Sequence, residues 1–289
     1  MKYLKPPKYF KIAVLLIRLI KKPLTGAAYY QDKKKGDLPM KKEIKILRAG
    51  LRLHGLIDIP DQEKFDLVIL MHGFTSDLGY TKRRVFYDLA PALREKGLGV
   101  LRFDFNGHGK SEGLLADTTI LNELSNANAI LDFALHLKGV HRVYLLGHSQ
   151  GGVIASLMAA YYPDVISKLV LMSPAATLID DARLGICQGS VYDPHNIPEK
   201  ITVKQKTIGG FYFRTAQLLP LYDIAKHYEG PVCLIHGTDD TIVNPVASLR
   251  YNDVYKNSTL NLIPNCDHFY LDEEKRQQAI KIVCDFLTK

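Results

Sequence analysis

The chain has 289 residues, of which 47% are hydrophobic and 24% charged, which suits one large α/β domain with an insertion. The formal net charge of +8 is uneven, because residues 1–48 hold 14 Lys/Arg and three Asp/Glu whereas residues 49–289 hold 24 and 27. A nucleic-acid-binding role for the whole protein is therefore disfavoured, since contact with the phosphate backbone needs a basic folded surface.

The four cysteines are scattered along the chain and none forms a CxxC pair. A zinc site or a disulfide framework is therefore not expected, and a reducing compartment fits this usage. The sequence accordingly predicts a cytoplasmic protein. The cysteines are Cys187, Cys233, Cys266 and Cys284.

The basic N-terminal segment, residues 1–24, contains an apolar stretch at residues 12–20 that is interrupted by Arg18. This stretch is too short to span a membrane, and Arg18 and the lysines after it disfavour a secretory signal. Three interpretations stay open: a basic amphipathic helix on an anionic membrane surface, an extra helix packed on the domain, or a frayed arm. Residues 31–42 are typical of an exposed linker, so residues 1–42 are predicted to precede a domain at 43–289.

Hydrophobic periodicity predicts an antiparallel hairpin at residues 43–59, followed by alternating strands and helices. This alternation favours an α/β fold with a mostly parallel, doubly wound sheet and right-handed crossovers. The predicted strands are 67–71, 99–105, 143–146, 168–172, 231–236 and 259–263, and the predicted helices are 83–96, 119–137, 153–160, 245–255 and 272–287.

Residues 174–228, called the insertion below, break this alternation. They carry four prolines, the acidic pair Asp180-Asp181 and the run Ile208-Gly-Gly-Phe-Tyr-Phe213. We expect a long irregular insertion between two core strands, which is typical of a lid or a binding element.

The sequence Gly147-x-Ser149-x-Gly151 follows the apolar run 143–146 and precedes the predicted helix 153–160. A serine on a sharp turn between strand and helix has an exposed hydroxyl and a strained backbone that crowds its neighbours, which explains the two glycines. The helix N-terminus would also stabilise a developing oxyanion. Ser149 is therefore the candidate nucleophile.

A serine nucleophile needs a general base and an acid that orients this base, and after such a turn they follow in the order acid, then histidine. His268 follows the last predicted strand and is the candidate base. Asp239 and Asp240 follow the strand 231–236, and the spacing from Gly237 favours Asp240, with Asp239 as the alternative. Catalytic residues of open parallel sheets lie at such strand ends.

The oxyanion needs two backbone donors, for which the sequence predicts the N–H groups of Gln150 and Phe74. Gln150 directly follows the nucleophile, and Phe74 lies in the loop after the strand that ends at Met71. The neighbouring histidines, His72, His108 and His148, are expected to brace their loops rather than to take part in catalysis.

Several motifs resemble the α/β-hydrolase family and, within it, the bacterial feruloyl (cinnamoyl) esterases. The general motifs are HGFT, RFDFNGHGKSEG, GHSQGG, LMSPAAT, HGTDDTIV and the final DH, and the more particular ones in the insertion are QGSVYDPHNIP and IGGFYFRTAQLLP. The resemblance starts near Leu51 and extends to the C-terminus. It implies a sheet of about eight strands with a lid insertion after strand six, and hydrolysis of hydroxycinnamate esters.

The resemblance also implies that Asp181, Gln188 and Tyr212 bind the hydroxyl groups on the phenolic ring of the substrate. Judged from the residues alone, Asp181 could pair with Arg183, Gln188 could be solvated, and Tyr212 could pack within the insertion. We further expect Phe211, Tyr212 and Phe213 to close an apolar pocket around the acyl group. The family pattern offers no role for the N-terminal extension, which leaves the location and the oligomeric state open, a homodimer included.

The leading hypothesis is a serine esterase that forms an acyl-enzyme on Ser149 and requires no metal or organic cofactor. Its expected partner is a small hydroxycinnamate ester. A general carboxylesterase or monoacylglycerol lipase with the same catalytic residues is the first alternative. A ligand-binding module without catalysis is the second, although such proteins usually lack one of the three catalytic residues.

Overall fold

The computed structural model describes Tyr29–Tyr30 and residues 41–289. The predicted membrane-surface helix at residues 1–24 lies outside the described residues, as does most of the predicted linker. Among the described helices, none combines the length and the apolar character that a membrane crossing requires.

The strands are β1 (Tyr29–Tyr30), β2 (Lys41–Arg48), β3 (Leu51–Asp58), β4 (Phe65–Met71), β5 (Gly99–Phe103), β6 (Val140–His148), β7 (Ile166–Met172), β8 (Ile186–Cys187), β9 (Ser190–Val191), β10 (Lys200–Val203), β11 (Lys206–Gly209), β12 (Val232–Gly237) and β13 (Ser258–Ile263). The helices are α1 (Val85–Glu95), α2 (Ile120–Leu135), α3 (Gln150–Tyr161), α4 (Leu178–Leu184), α5 (Gly210–Gln217), α6 (Leu221–Ala225), α7 (Val246–Val254) and α8 (Glu273–Thr288).

One sheet organises the described residues, with strand order β1-β2-β3-β5-β4-β6-β7-β12-β13. The strands β1, β2, β3 and β5 pair antiparallel in succession, and the pairs from β5 to β13 are parallel. This is the α/β-hydrolase fold that the sequence predicted. Eight strands form its body, and the two-residue β1 adds a ninth at the edge.

Helices cover both faces of the sheet, and this explains why the central strands are continuous apolar runs. In β4, every residue from Leu67 to Met71 is buried. Side chains of α1 and α8 pack in the core on one face, and side chains of α2, α3 and α7 pack in the core on the other. The predicted strands of the sheet and the predicted helices that cover it are confirmed, with ends that agree within a few residues.

The insertion joins β7 to β12, which are the sixth and seventh strands of the eight-stranded body. It is more regular than the sequence predicted, because it folds into α4, α5, α6 and two small hairpins, β8–β9 and β10–β11. Each element spans only two to eight residues, so hydrophobic periodicity could not indicate them.

Candidate active site

Ser149 occupies a sharp turn between β6 and α3. Its φ of 56° and ψ of −124° lie in a region that residues with a side chain rarely adopt. A Cβ at position 147 would lie 2.1 Å from the Gly151 carbonyl oxygen, and a Cβ at position 151 would lie 2.0 Å from the Met71 carbonyl oxygen. Glycine is therefore required at both positions for the steric reason that the sequence suggested.

Hydrogen bonds join Ser149, His268 and Asp240, the three residues that the sequence analysis predicted to be catalytic. His268 Nε2 lies 2.9 Å from Ser149 Oγ, and His268 Nδ1 lies 2.6 Å from Asp240 Oδ2. All three side chains are buried. Because a carboxylate only accepts hydrogen bonds, Nδ1 carries the proton and Nε2 is free to accept the Ser149 hydroxyl proton.

Asp240 accepts four hydrogen bonds. His268 Nδ1 and His236 Nε2 donate to Oδ2, the latter at 3.1 Å, and the backbone N–H groups of Ile242 and Val243 donate to Oδ1 at 2.9 and 2.8 Å. Burial opposes ionisation of Asp240, but the hydrogen bonds from His236 and His268 outweigh it and hold the pKa of this carboxyl below its usual range. Asp240 therefore stays ionised beside His268.

His236 is a part of this site that the sequence reasoning missed. It is fully buried, and its Nε2 contacts both Asp240 Oδ2 and the Val243 carbonyl oxygen, at 3.1 and 3.0 Å. Two acceptors on one nitrogen require the N–H there, so His236 fixes the position of the Asp240 carboxylate. The available signal was its place at the end of a strand, four residues before Asp240.

Asp239, the alternative acid, lies outside this chain of hydrogen bonds. Its side chain is exposed and accepts a hydrogen bond from the Thr238 hydroxyl at 2.9 Å, and its backbone N–H donates to the Cys266 carbonyl oxygen at 3.1 Å. These contacts stabilise the loop after β12.

The two predicted oxyanion donors belong to segments that lie against each other. A Cβ at Gly73 would fall 2.7 Å from Ser149 Cβ, so the loop that carries Phe74 approaches the serine closely. Within the described residues, the backbone N–H groups of Phe74 and Gln150 have no hydrogen-bond acceptor. Both donors are thus available to a ligand at Ser149.

Two histidines fix the loop that carries Phe74. His72 Nε2 accepts from the Phe105 N–H at 3.0 Å while Nδ1 donates to the Gly73 carbonyl oxygen at 2.9 Å. His108 Nε2 accepts from the Thr75 N–H at 3.2 Å. Burial lowers the pKa of both imidazoles, that of His108 to about 3, so both stay neutral and keep accepting these hydrogen bonds.

His148 is hydrogen-bonded to the backbone of His268. Its Nε2 lies 2.8 Å from the His268 carbonyl oxygen. Burial, assisted by the nearby His268, lowers the pKa of His148 to about 3. A neutral imidazole with its proton on Nε2 donates to that carbonyl, so His148 braces the loop of His268 rather than exchanging protons with the reaction.

A cavity between the insertion and the sheet opens on Ser149; we call it the inner cavity. Side chains of Asp181, Gln188 and Tyr212 line it together, so the insertion brings the three predicted ring-binding residues to one place. Most of its remaining wall is apolar: Leu178, Ala182, Ile186, Phe213, Ile242 and Val243. An apolar cleft with a few polar groups is the usual form of a site for a small ligand.

The three polar residues differ in their surroundings. Asp181 is half-buried and accepts a hydrogen bond from the Thr177 hydroxyl at 3.0 Å. Arg183 does not pair with Asp181, because its side chain donates to the Gln217 carbonyl oxygen. Burial raises the pKa of Asp181 above its usual value. Gln188 is exposed at the cavity mouth.

Phe211 does not close the inner cavity, contrary to the prediction. More than half of its side chain is exposed, at 57%, whereas Tyr212 and Phe213 are buried and line the cavity. The run Phe211-Tyr212-Phe213 lies on the short helix α5, where successive side chains are about 100° apart. Three consecutive residues of a helix therefore cannot all face one pocket.

A buried polar chain connects Tyr212 to α2, and sequence reasoning missed it. The Tyr212 hydroxyl donates to Gln150 Oε1 at 2.6 Å, and Gln150 Nε2 donates to Glu123 Oε2 at 2.7 Å. Burial raises the pKa of Glu123 to about 8, although the hydrogen bond from Gln150 opposes the rise. Glu123 lies within the predicted helix 119–137, and no spacing in the sequence links it to Gln150.

Replacing Glu123 by glutamine is expected to change how stability depends on pH. Between pH 4.5 and about 8 the unfolded wild type has released a proton that the folded state retains, so wild-type stability falls as pH rises. The glutamine variant lacks this loss, and its unfolding free energy relative to wild type should rise by about 3–5 kcal/mol across the window. Urea unfolding at pH 5, 6, 7 and 8 measures this, and a difference independent of pH would contradict it.

The four cysteines are free thiols. In the part of the chain that the structure describes, no group of three or more His, Cys, Asp or Glu side chains is arranged to hold a metal ion.

Comparison with known proteins agrees with this fold. The family model of the alpha/beta hydrolase fold matches residues 66–188. The solved structure of Est1E from Butyrivibrio proteoclasticus with ferulic acid bound is 36% identical, with a TM-score of 0.80, and the match covers 84% of this chain and 97% of that one. A human monoacylglycerol lipase, ABHD6, is 23% identical over 262 residues, which cover 76% of this chain and 75% of its own.

Other curated relatives match over a shorter stretch. A 2-hydroxy-6-oxononadienedioate/2-hydroxy-6-oxononatrienedioate hydrolase from Paraburkholderia phymatum is 31% identical over 132 residues, and the chain spans 43% of its length. Taken together with the fold, these matches show that the chain belongs to the α/β-hydrolase family. Its relatives include a putative esterase/lipase and a monoacylglycerol lipase.

Proposed function

We propose that this protein is a serine esterase that hydrolyses esters of hydroxycinnamic acids through an acyl-enzyme. The observation that carries the proposal is the inner cavity, which opens on Ser149 and has Asp181, Gln188 and Tyr212 in otherwise apolar walls. The 36% identity to Est1E, which was solved with ferulic acid bound, supports this choice of acyl group.

The first half of the proposed reaction acylates the enzyme. His268 Nε2 accepts the Ser149 hydroxyl proton as Oγ attacks the ester carbonyl, and ionised Asp240 stabilises the imidazolium that forms. The backbone N–H groups of Phe74 and Gln150 donate to the oxyanion. His268 then gives its proton to the leaving alcohol as the C–O bond breaks.

The second half releases the acid. A water molecule takes the place of the alcohol and gives a proton to His268 as its oxygen attacks the acyl carbon. Collapse of this intermediate breaks the bond to Oγ, and His268 returns the proton to Ser149. The hydrogen bond from His268 Nδ1 to Asp240 Oδ2 holds the imidazole throughout, and both groups are already buried in the free protein.

The acyl preference follows from the composition of the inner cavity. A flat aromatic ring suits its apolar walls, and a ring hydroxyl can bond the polar groups. The Tyr212 hydroxyl donates to Gln150, so its oxygen can accept a hydrogen bond from a ligand. Burial raises the pKa of Tyr212 well above its usual value, which keeps this hydroxyl protonated.

Methyl esters of different acids test the proposal, since they share one leaving group. We expect kcat/KM for methyl ferulate to exceed that for methyl octanoate by at least about tenfold, because a site with buried polar groups rejects ligands that leave them unpaired. Methyl cinnamate, which lacks the ring hydroxyl, should fall between them. Continuous assay of acid release at pH 7 measures all three.

Two outcomes would contradict the proposal. Efficient cleavage of methyl octanoate alone would favour a carboxylesterase or monoacylglycerol lipase, as the similarity to human ABHD6 allows. Equal kcat/KM values for methyl ferulate and methyl cinnamate would show that the polar groups of the inner cavity do not bind the ring hydroxyl.

A further inference from the structure

A second cavity lies on the other side of Ser149, and we call it the outer cavity. It encloses about 260 Å³ and shares Phe74, Ser149, Gln188 and Ile242 with the inner cavity, so the two meet at the nucleophile. His268 lines the outer cavity and does not line the inner one. Because the histidine must protonate the leaving alcohol, the alcohol half of an ester belongs on the His268 side. The outer cavity is therefore the site of the leaving group.

The walls of the outer cavity are strongly basic. Arg84, Lys204 and Lys206 line it, and none of its lining residues is an aspartate or glutamate. This contrasts with residues 49–289 as a whole, in which 27 acidic residues outnumber 24 Lys/Arg. The outer cavity is thus basic although residues 49–289 as a whole carry a net negative charge.

The three cations have no carboxylate partner among the described residues. Arg84 lies over the Phe269 ring at 5.8 Å, and Lys206 Nζ donates to the Thr75 carbonyl oxygen at 3.0 Å. The ion pairs of the described residues involve other groups. Asp77, which lines a neighbouring cavity with Arg84, accepts from two backbone N–H groups of its own turn, at 2.8 and 3.1 Å. The charges of the outer cavity are therefore available to a ligand.

The backbone holds two of these cations in place. Lys204 and Gln205 form the two-residue turn of the β10–β11 hairpin, with φ values of 44° and 67°. Such a turn usually contains glycine or asparagine, because other side chains are strained at positive φ. The same hairpin is tied to the Phe74 loop through Lys206. The backbone of Lys204 and Lys206 is therefore held beside the cavity.

We infer that the leaving alcohol of the substrate carries an anionic group, a carboxylate or a phosphate, which Arg84, Lys204 and Lys206 attract in the outer cavity. The inference rests on the proposed ester hydrolysis but concerns the alcohol half, whereas the inner cavity selects the acid half. The cations are exposed, so their effect is on binding and association and is screened by salt.

Matched ferulate esters test the inference. The alcohols are glycolic acid, glycolamide and 2-hydroxyethyl phosphate, of which the first two differ only in a carboxylate against a neutral amide. At low ionic strength, we expect kcat/KM for the glycolate ester to exceed that for the glycolamide ester by about tenfold, mainly through KM, and the ratio to fall in 0.5 M NaCl. The 2-hydroxyethyl phosphate ester is compared with the same glycolamide ester. The anion with the larger ratio of kcat/KM is the group that the cavity prefers.

Variants that remove a positive charge test which residues cause the preference for the anionic ester. Lys204→Gln should lower the ratio of anionic to neutral ester by about threefold, and the combined R84Q/K204Q/K206Q variant should bring it close to one. Lys200→Gln is the matched control, because Lys200 is an exposed lysine of the same hairpin that does not line the outer cavity. It should leave the ratio unchanged.

Two failures can be told apart. If the glycolate and glycolamide esters are cleaved equally well, or if Lys200→Gln lowers the ratio as much as Lys204→Gln, the inference is overturned while the proposed function stands. If no ferulate ester is cleaved, the proposed acyl group is wrong. The same pair of alcohols on the best-accepted acyl group then still decides the inference.

Discussion

Ser149→Ala is expected to lower kcat for methyl ferulate by about five to six orders of magnitude, as removal of the nucleophile does in serine hydrolases. The hydroxyl lies 2.9 Å from His268 Nε2, and no other serine of the described residues is hydrogen-bonded to that imidazole. Without Oγ no acyl-enzyme can form. Residual hydrolysis would come from water in a site that still has its oxyanion donors.

The variant needs two controls that separate catalysis from folding. Its thermal midpoint should stay within a few degrees of wild type, since one oxygen is removed, and ferulate should still bind in the inner cavity. Mass spectrometry with a fluorophosphonate should show one adduct on wild type and none on Ser149→Ala. An adduct on the variant, or activity within about tenfold of wild type, would assign the nucleophile to another residue.

Asp240→Asn is expected to lower kcat by about four orders of magnitude, the loss seen when the orienting aspartate of a serine hydrolase becomes an amide. Asp240 Oδ2 accepts hydrogen bonds from His268 Nδ1 and His236 Nε2. An amide nitrogen at Oδ2 would oppose both donors, and His268 would favour the tautomer that has its proton on Nε2. That tautomer cannot accept the Ser149 proton.

Asp239→Asn provides the matched control. It is the same substitution one residue earlier, on an exposed side chain whose contact is the Thr238 hydroxyl. We expect its kcat to stay within about twofold of wild type and its stability to change by at most about 1 kcal/mol. A larger loss of kcat for Asp239→Asn would reverse the assignment of the acid.

The fold was largely predictable from local patterns in the sequence. Apolar runs such as 67–71 and 143–146 are buried on both faces of the sheet, so their strands are recognisable without any knowledge of their neighbours. The glycines around Ser149 mark the sharp turn because they are the residues that its steric crowding permits. The insertion was harder to predict, since its elements are too short to show a period.

The sequence by itself determined the nucleophile turn, because that turn depends on Ser149 and on glycines two residues to either side. It also indicated the chain order serine, acid, histidine, but it left Asp239 as an alternative to Asp240. Only the tertiary structure decided what surrounds them. Ser149 and His268 meet across 119 positions, Tyr212 and Gln150 across 62, and the basic outer cavity joins Arg84 to a hairpin of the insertion. Hydrogen bonds and charge act over a few ångströms in space, and the spacing of residues along the chain does not record which distant side chains the sheet and the insertion bring within that range.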